Sequence, residues 1–407
     1  MREGRRAVTP RRGRLSTVAG NVRPGVFAEL QKKVDERVRA NEPLVGLHIG
    51  DTHLGPPAAA RHASLAVDLD VDHMYRYGAT AGMLELRSEL AAHLGTARAV
   101  LGLGPDNILL GAGGTHALFC VAKAVLDPGD EVIAFAPYWP LAHGIFTSVG
   151  ASVVELAVSQ RAYEEPALDL RTMLQSVLTT RTRAIYFVSP NNPDGKILGK
   201  AHLEVILAFA EEHDLFVFAD EVYADISYVE RPVSFGSLPG AMSRSALVYS
   251  FSKSHALAGA RVGYVAASPE VVSAARRISV HTVFNVPIAS QRAARAALLA
   301  GPGFLASALA AYTSARKLTC DALAGHPGLR FHAPDGATYV FCDFAERLRG
   351  LPLSSLLSRA VDHGVLLAPG ESFGDAFRTH ARICFSSVEE RELSTGLDAL
   401  ARALDEL

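Results

Sequence analysis

A largely parallel β-sheet covered by helices is the fold class that this sequence predicts, and two observations predict it. Short apolar runs such as EVIAFA, RAIYFV and LFVFA are continuous rather than alternating, as in strands buried on both faces. Stretches of helical length separate them, the spacing of strand–helix–strand units rather than of hairpins. Several runs close on glycine, asparagine, aspartate or lysine. Such groups then lie at the carboxyl ends of strands, where open α/β sheets place their ligands.

The chain has 407 residues, enough for two or three domains; 49% are hydrophobic and 20% charged, as in ordinary globular proteins. A formal net charge of −2 gives no electrostatic case for nucleic acid or a membrane surface as partner. No apolar run approaches the roughly 18 residues of a membrane helix. Cys120, Cys320, Cys342 and Cys384 are scattered without a C-x-x-C pair. That argues against a disulfide framework or a zinc site, so no metal is expected, and it points to the reducing cytoplasm. The first fourteen residues hold six arginines and one acid with no apolar segment after them. They read as a solvated N-terminal arm, or as a polyanion-binding tail, rather than a secretory signal.

Residues 24–40 predict an amphipathic helix, with Val26, Leu30, Val34 and Val38 at four-residue spacing. PLVGLHIGD follows as a short strand closing on Gly50, where the missing Cβ permits close backbone approach. NILLGAGGTHALF reads as strand, glycine turn and helix, and exposed N–H groups at a helix start suit a phosphate. LFVFAD ends a buried strand on Asp220, a carboxylate that burial makes costly without a cation. ALVYSFSKSHALAGARVGY ends a strand on Ser250, Phe251, Ser252 and Lys253, with Arg261 further on. A hydroxyl and a guanidinium can share one anion, and a buried lysine amine can become a Schiff-base nucleophile. The same turn, taken alone, is equally a surface lysine among serines.

SFSKSHALAGARVG resembles the S-x-S-K-x-x-x-x-x-G-x-R-x-G signature of class I/II aminotransferases, fold type I enzymes dependent on pyridoxal 5′-phosphate (PLP). The resemblance runs from about Arg23 to the C-terminus. It implies a mostly parallel sheet with helices on both faces plus a smaller α+β domain. The expected division is residues 1–20 as a flexible arm, 51–295 as the large domain, and 21–50 with 296–407 as the small one. It implies that Lys253 holds the cofactor and shuttles the α-proton, while Ser250 and Arg261 bind its phosphate together with Gly113, Gly114 and Thr115. Asp220 would pair with the pyridinium nitrogen, which keeps the ring an electron sink. Tyr223, three residues on, would donate to the phenolic oxygen. PNNPDG resembles the family's P-x-N-P-x-G, with Asp194 where threonine is usual, and Asn192 would also reach the phenolic oxygen and the substrate carboxylate.

Trp139, in PYWP, would stack on the pyridine ring; as the sole tryptophan it could equally belong to the core. MYRYGATAGMLELR resembles the family's Y-x-x-x-x-G-x-x-x-L-R, in which Tyr77 reaches the partner's phosphate and implies a homodimer with shared sites. Helices are expected over residues 268–300 and 305–323. DGATYVFCDF and GVLLAPGESFG resemble small-domain segments. ARICFSS supplies Arg382, aligned with the arginine that grips the α-carboxylate, where Gly50 also lies.

The resulting expectation is an aminotransferase moving an amino group between an amino acid and a 2-oxo acid. Relatives with these motifs also carry out β- or γ-elimination, replacement or cyclisation. A non-catalytic effector-sensing domain would need a DNA-binding module. His53, His116 and His255 fall near the inferred mouth and suggest a polar substrate side chain and a specialised biosynthetic pathway.

Overall fold

The structure is a computed structural model that describes residues 16–22, 30–61, 74–165 and 167–407. Its centre is a seven-stranded sheet. In chain order the strands are β2 Ile108–Gly111, β3 Glu131–Ala136, β4 Ser152–Ala157, β5 Thr182–Val188, β6 Phe216–Asp220, β7 Ser245–Ser250 and β8 Gly263–Ala267. They lie side by side in the order β2-β8-β7-β6-β5-β3-β4. Only β8 runs antiparallel to its neighbours β2 and β7; β3 to β7 pair in parallel.

Side chains alternate across this sheet, and both faces are dry. Ile133, Ile185, Phe187, Val217 and Leu247 face one apolar cluster, which also takes the helices Leu84–Arg98 and Lys200–Glu212. Val132, Tyr186, Phe218, Ala246 and Val248 face another, under the helices Gly113–Val125, Pro140–Ser148 and Pro269–Val280. Continuous apolar runs are what a sheet covered on both faces requires.

A third cluster surrounds a smaller antiparallel sheet in which β12, His380–Cys384, lies between β11, Ala368–Pro369, and β9, Tyr339–Asp343. The helices Gly303–Ala324, Leu353–His363 and Glu390–Asp405 pack on it. The segment ahead of Gly50 belongs to this region. Its strand β1, Val45–Gly46, pairs in parallel with β10, Val365–Leu366. Leu47 then accepts a hydrogen bond from the Cys384 amide at 2.8 Å. This docking carries the His48–Gly50 segment to Arg382 in β12, whose guanidinium donates to His48 O.

Two helical expectations need correction. The described part of the expected helix over residues 24–40 is Gln31–Arg39, and residues 23–29 lie outside the described residues. Its valines do not anchor it, since Val38 is 62% exposed. Polar contacts do: Lys33 Nζ reaches Ser358 Oγ and Asp362 at 2.6 Å each, and Arg37 donates to Asp362 O at 2.8 Å. The expected helix over 268–300 is two helices, Pro269–Val280 and Ile288–Leu299. The amides of Thr282, Val283 and Phe284 all turn back onto Ser279 O, and Phe284 adopts φ +66°. Pro287 then restarts the chain, because proline disfavours helical backbone at the residue before it and suits a helix start. Most of the arm, residues 1–15, lies outside the described residues, and residues Thr17–Asn21 form a short helix.

Candidate active site

Five strand ends and the small sheet converge on one cavity of about 290 Å³. Among its lining residues are Gly50, Gly114, Thr115, Trp139, Asn192, Asp220, Tyr223, Ser250, Lys253, Arg261 and Arg382, all expected from the sequence. Gly113 lies just behind, at the first position of the helix Gly113–Val125. Its φ of +80° excludes most side chains, and a Cβ there would meet Arg261 Nη2 at 2.5 Å. The Arg261 guanidinium is therefore laid across a helix N-terminus, and Ser250 lines the same end. Oriented amides, a hydroxyl and a guanidinium make a donor set for a phosphate.

Asp220 stands at the carboxyl end of β6, buried. It accepts a hydrogen bond from Tyr186 Oη at 3.1 Å and from the Val222 amide at 3.3 Å. Burial, more than any neighbour, pushes its carboxyl up to about 7, and Glu221 adds to the rise while Lys253 opposes it. A carboxyl so placed is complementary to a cation inside the cavity. Lys253 Nζ donates to Gly50 O at 2.5 Å. Desolvation lowers the lysine pKa, and the Arg382 and Arg261 charges lower it further, against Cys384 and Asp51. Its amine is thus more readily neutral and nucleophilic than a surface lysine.

Arg382 is buried and fixed on three sides. Nη1 donates to Asn192 Oδ1 at 2.8 Å and Nη2 to His48 O at 2.5 Å. The guanidinium lies 4.3 Å from the Tyr339 ring centroid and 4.9 Å from that of Phe373. Among the described residues its buried Nε has no hydrogen-bond partner. A buried, unsatisfied guanidinium N–H is the feature a carboxylate ligand would complete.

The residues present fit PLP. An anion cradle occupies one end, the buried carboxyl another and the lysine amine lies among them, with Trp139 as a flat wall. A positively charged ring nitrogen beside Asp220 would restore its carboxylate form.

Sequence reading missed Tyr339, Tyr186, His48 and Phe373. Tyr339 Oη shares a 2.5 Å hydrogen bond with Tyr223 Oη. A Cβ on Gly50 would meet that Tyr339 Oη at 1.9 Å, so a side chain of this protein already requires the glycine. The signal for Tyr186 was its lone hydroxyl inside the apolar run RAIYFV, which must find a partner when buried. Asp194 accepts from Ser159 Oγ at 2.9 Å, Asn191 Nδ2 at 2.8 Å and the Lys196 amide at 3.1 Å, and so pins the turn that carries Asn192.

Tyr77 does not reach this cavity in its own chain. It is 87% exposed and packs edge-on against Phe284, with 4.9 Å between ring centroids. None of the three histidines expected at the mouth lines the cavity. His53 approaches Ser386 O at 3.1 Å, His116 turns to Thr282, and His255 is buried beside Ser254 and Phe304. They therefore give no support to a polar substrate side chain or a specialised pathway. Among the described residues no single helix is long and apolar enough to cross a membrane.

Residues 42–400 match the family model for aminotransferase class I and II. An arginine–pyruvate transaminase of Pseudomonas aeruginosa is 33% identical over 349 residues, covering 85% of this chain and 86% of that protein. An aspartate/prephenate aminotransferase of Thermus thermophilus is 30% identical, covering 96% of this chain and 98% of that protein. Among solved structures, a single mutant of the Thermus thermophilus aspartate aminotransferase superposes with a TM-score of 0.88 at 29% identity, over 97% of this chain and 100% of that one. The aromatic aminotransferase of Pyrococcus horikoshii gives 0.81 at 28% identity, over 92% and 99%.

Proposed function

Because the chain belongs to the class I and II aminotransferase family, and is a PLP-dependent enzyme exchanging an amino group between an amino acid and a 2-oxo acid, we propose that this cavity is its active site. The observation that carries the proposal is the pairing, in one cavity, of a buried lysine amine with an arginine whose Nε is uncommitted among the described residues.

Gly113, Gly114, Thr115, Ser250 and Arg261 would hold the cofactor phosphate, and Trp139 would cover the ring. Asp220, held by Tyr186 and the Val222 amide, would pair with the ring nitrogen. Asn192 and Tyr223 would donate to the ring oxygen. PLP supplies, when bound, an electrophilic carbon and a ring that withdraws electrons from the substrate Cα. Arg382 grips the α-carboxylate beside the backbone of Gly50 and fixes the substrate's orientation. Lys253 would anchor the cofactor and, its amine freed, would hold and move the proton at the substrate Cα. The division into 51–295 and 21–50 with 296–407 would set Lys253 and Asp220 on one domain and Gly50 and Arg382 on the other.

Adding single amino acids to the PLP-loaded enzyme should shift the cofactor's absorption band, and a 2-oxo acid should restore it. Arg382→Lys should raise KM for the amino acid about 100-fold while the cofactor spectrum is kept, because a point charge replaces a planar fork. An unchanged KM removes Arg382 from the substrate.

The proposal extends to a homodimer in which Tyr77 serves the partner's phosphate. Its exposure, and that of Tyr75 at 80%, support a covered surface. Mixing Tyr77→Phe with Lys253→Ala chains under subunit exchange should restore part of the activity. One heterodimer site then carries neither lesion and the other carries both. No restoration despite exchange rules out a shared site. A cytoplasmic location is part of the same reading, supported by four free cysteines.

A further inference from the structure

Two buried tyrosines line the cavity between its arginine and its lysine, and their hydroxyls share one hydrogen bond of 2.5 Å. Tyr223 lies three residues beyond the end of β6, and its ring centroid is 6.0 Å from Lys253 Nζ. Tyr339 opens β9, and the Arg382 guanidinium lies over its ring, 4.3 Å from the centroid. The two rings meet edge to face with 5.6 Å between centroids. An order therefore runs across the cavity, from Arg382 through Tyr339 and Tyr223 to Lys253.

The backbones that carry the pair are tied together. Ile226 N donates to Tyr223 O at 2.8 Å, and Ala337 N donates to Ile226 O at 3.0 Å. Ala337 is held at φ +57°, uncommon for a residue with a Cβ, and its carbonyl accepts from Tyr228 Oη at 2.7 Å. Tyr339 Oη is also packed against Gly50, where a Cβ would overlap it. Backbone bonds and packing thus hold the two hydroxyls against each other.

Each hydroxyl has one proton, so one proton joins the pair and the other stays on the oxygen that accepts. If Tyr339 donates, the Tyr223 proton is left for a cofactor atom; if Tyr223 donates, Tyr223 offers that atom only a lone pair. Arg382 favours the first arrangement. After burial, which pushes the Tyr339 phenol up, the Arg382 charge is the largest influence on it and opposes the rise. A cation over the ring makes that O–H the stronger donor. Cys384, two residues after Arg382, acts on both phenols in the opposite sense to the guanidinium.

Resting on the reading of this cavity as a PLP site, we propose that Tyr339 is a positioning residue for the reaction: its hydroxyl donates to Tyr223 and so directs the Tyr223 proton to the cofactor's ring oxygen. Donation into Tyr223 also polarises the Tyr223 O–H, because linked hydrogen bonds strengthen one another. The ring of Tyr339 backs the Arg382 guanidinium, a contact that phenylalanine would keep.

The test is a pH titration of the cofactor absorption band in the PLP-loaded wild type, Tyr339→Phe, Tyr223→Phe and the double variant. A proton donated to the ring oxygen holds that oxygen's negative charge, so the cofactor's own titrating proton leaves at lower pH. Tyr339→Phe should therefore move the midpoint up by roughly 0.3–1 pH unit. Tyr223→Phe should move it further in the same direction, and the double variant no further than Tyr223→Phe alone. A midpoint that moves down in Tyr339→Phe reverses the hydrogen bond and overturns the proposal. An unmoved midpoint overturns it too, as does a Tyr339→Phe shift that persists in full when residue 223 is already phenylalanine. In these three cases the wild-type band still forms and responds to amino acids, and the reading of the cavity stands. A wild type that forms no band with PLP overturns both.

Discussion

Replacing Lys253 by alanine should lower transamination at least about 10⁴-fold, the largest single loss in the molecule. On the proposed roles two functions would disappear with one side chain: the covalent hold on the cofactor and the base that moves the α-proton, the latter alone worth roughly 10²–10⁴. The fold should survive, because the amine's hydrogen bond goes to a single backbone carbonyl, Gly50 O, among the described residues. PLP should still bind at the cradle of Gly113, Gly114, Thr115, Ser250 and Arg261. Borohydride reduction of the wild type, followed by peptide mapping, should fix the cofactor to Lys253, and the variant should yield no fixed cofactor. A single reduced adduct at another lysine in the variant would show that the anchoring residue has been misassigned.

Asp220→Ala should reduce kcat by roughly 10²–10³, the scale of removing one preorganised electrostatic partner from a dry site. Unchanged turnover would make this carboxylate structural. The same residue has a pH signature in the cofactor-free protein. Burial raises its carboxyl from 3.8 to about 7. The folded chain thus binds the proton more tightly than the unfolded one. That contribution to stability is complete below about pH 4 and is lost as pH rises from about 4 to about 7. The stability of the wild type relative to Asp220→Asn should therefore decline across this window by a few kcal/mol at most. PLP should flatten the decline, since a cationic ring nitrogen favours the carboxylate. A decline of equal size with and without PLP would separate Asp220 from the ring.

The chain's local chemistry determined the sheet and most of the site. Continuous apolar runs ending in Gly113-Gly114-Thr115, in Asp220 and in Ser250 to Lys253 could be read in order, because strand burial and turn composition depend on near neighbours. The stacking proposed for Trp139 and the carboxylate contact proposed for Arg382 came from the resemblance of whole motifs. Tertiary structure decided which distant segments meet. Pairing of Val45–Gly46 with Val365–Leu366 brings Gly50 to Lys253 and to the hydroxyl of Tyr339, a contact spanning 203 positions to the lysine. The hydroxyl of Tyr186 finds Asp220 only once β5 lies beside β6. Sequence proximity to Gly50, Thr115 and Lys253 said nothing about where His53, His116 and His255 point. In each case backbone direction and packing turn the imidazole away from the cavity, while His48, unremarked in the sequence, lines it. Local sequence specifies what a strand end offers; which offers face one another depends on long-range packing, whose partners are far apart in the chain.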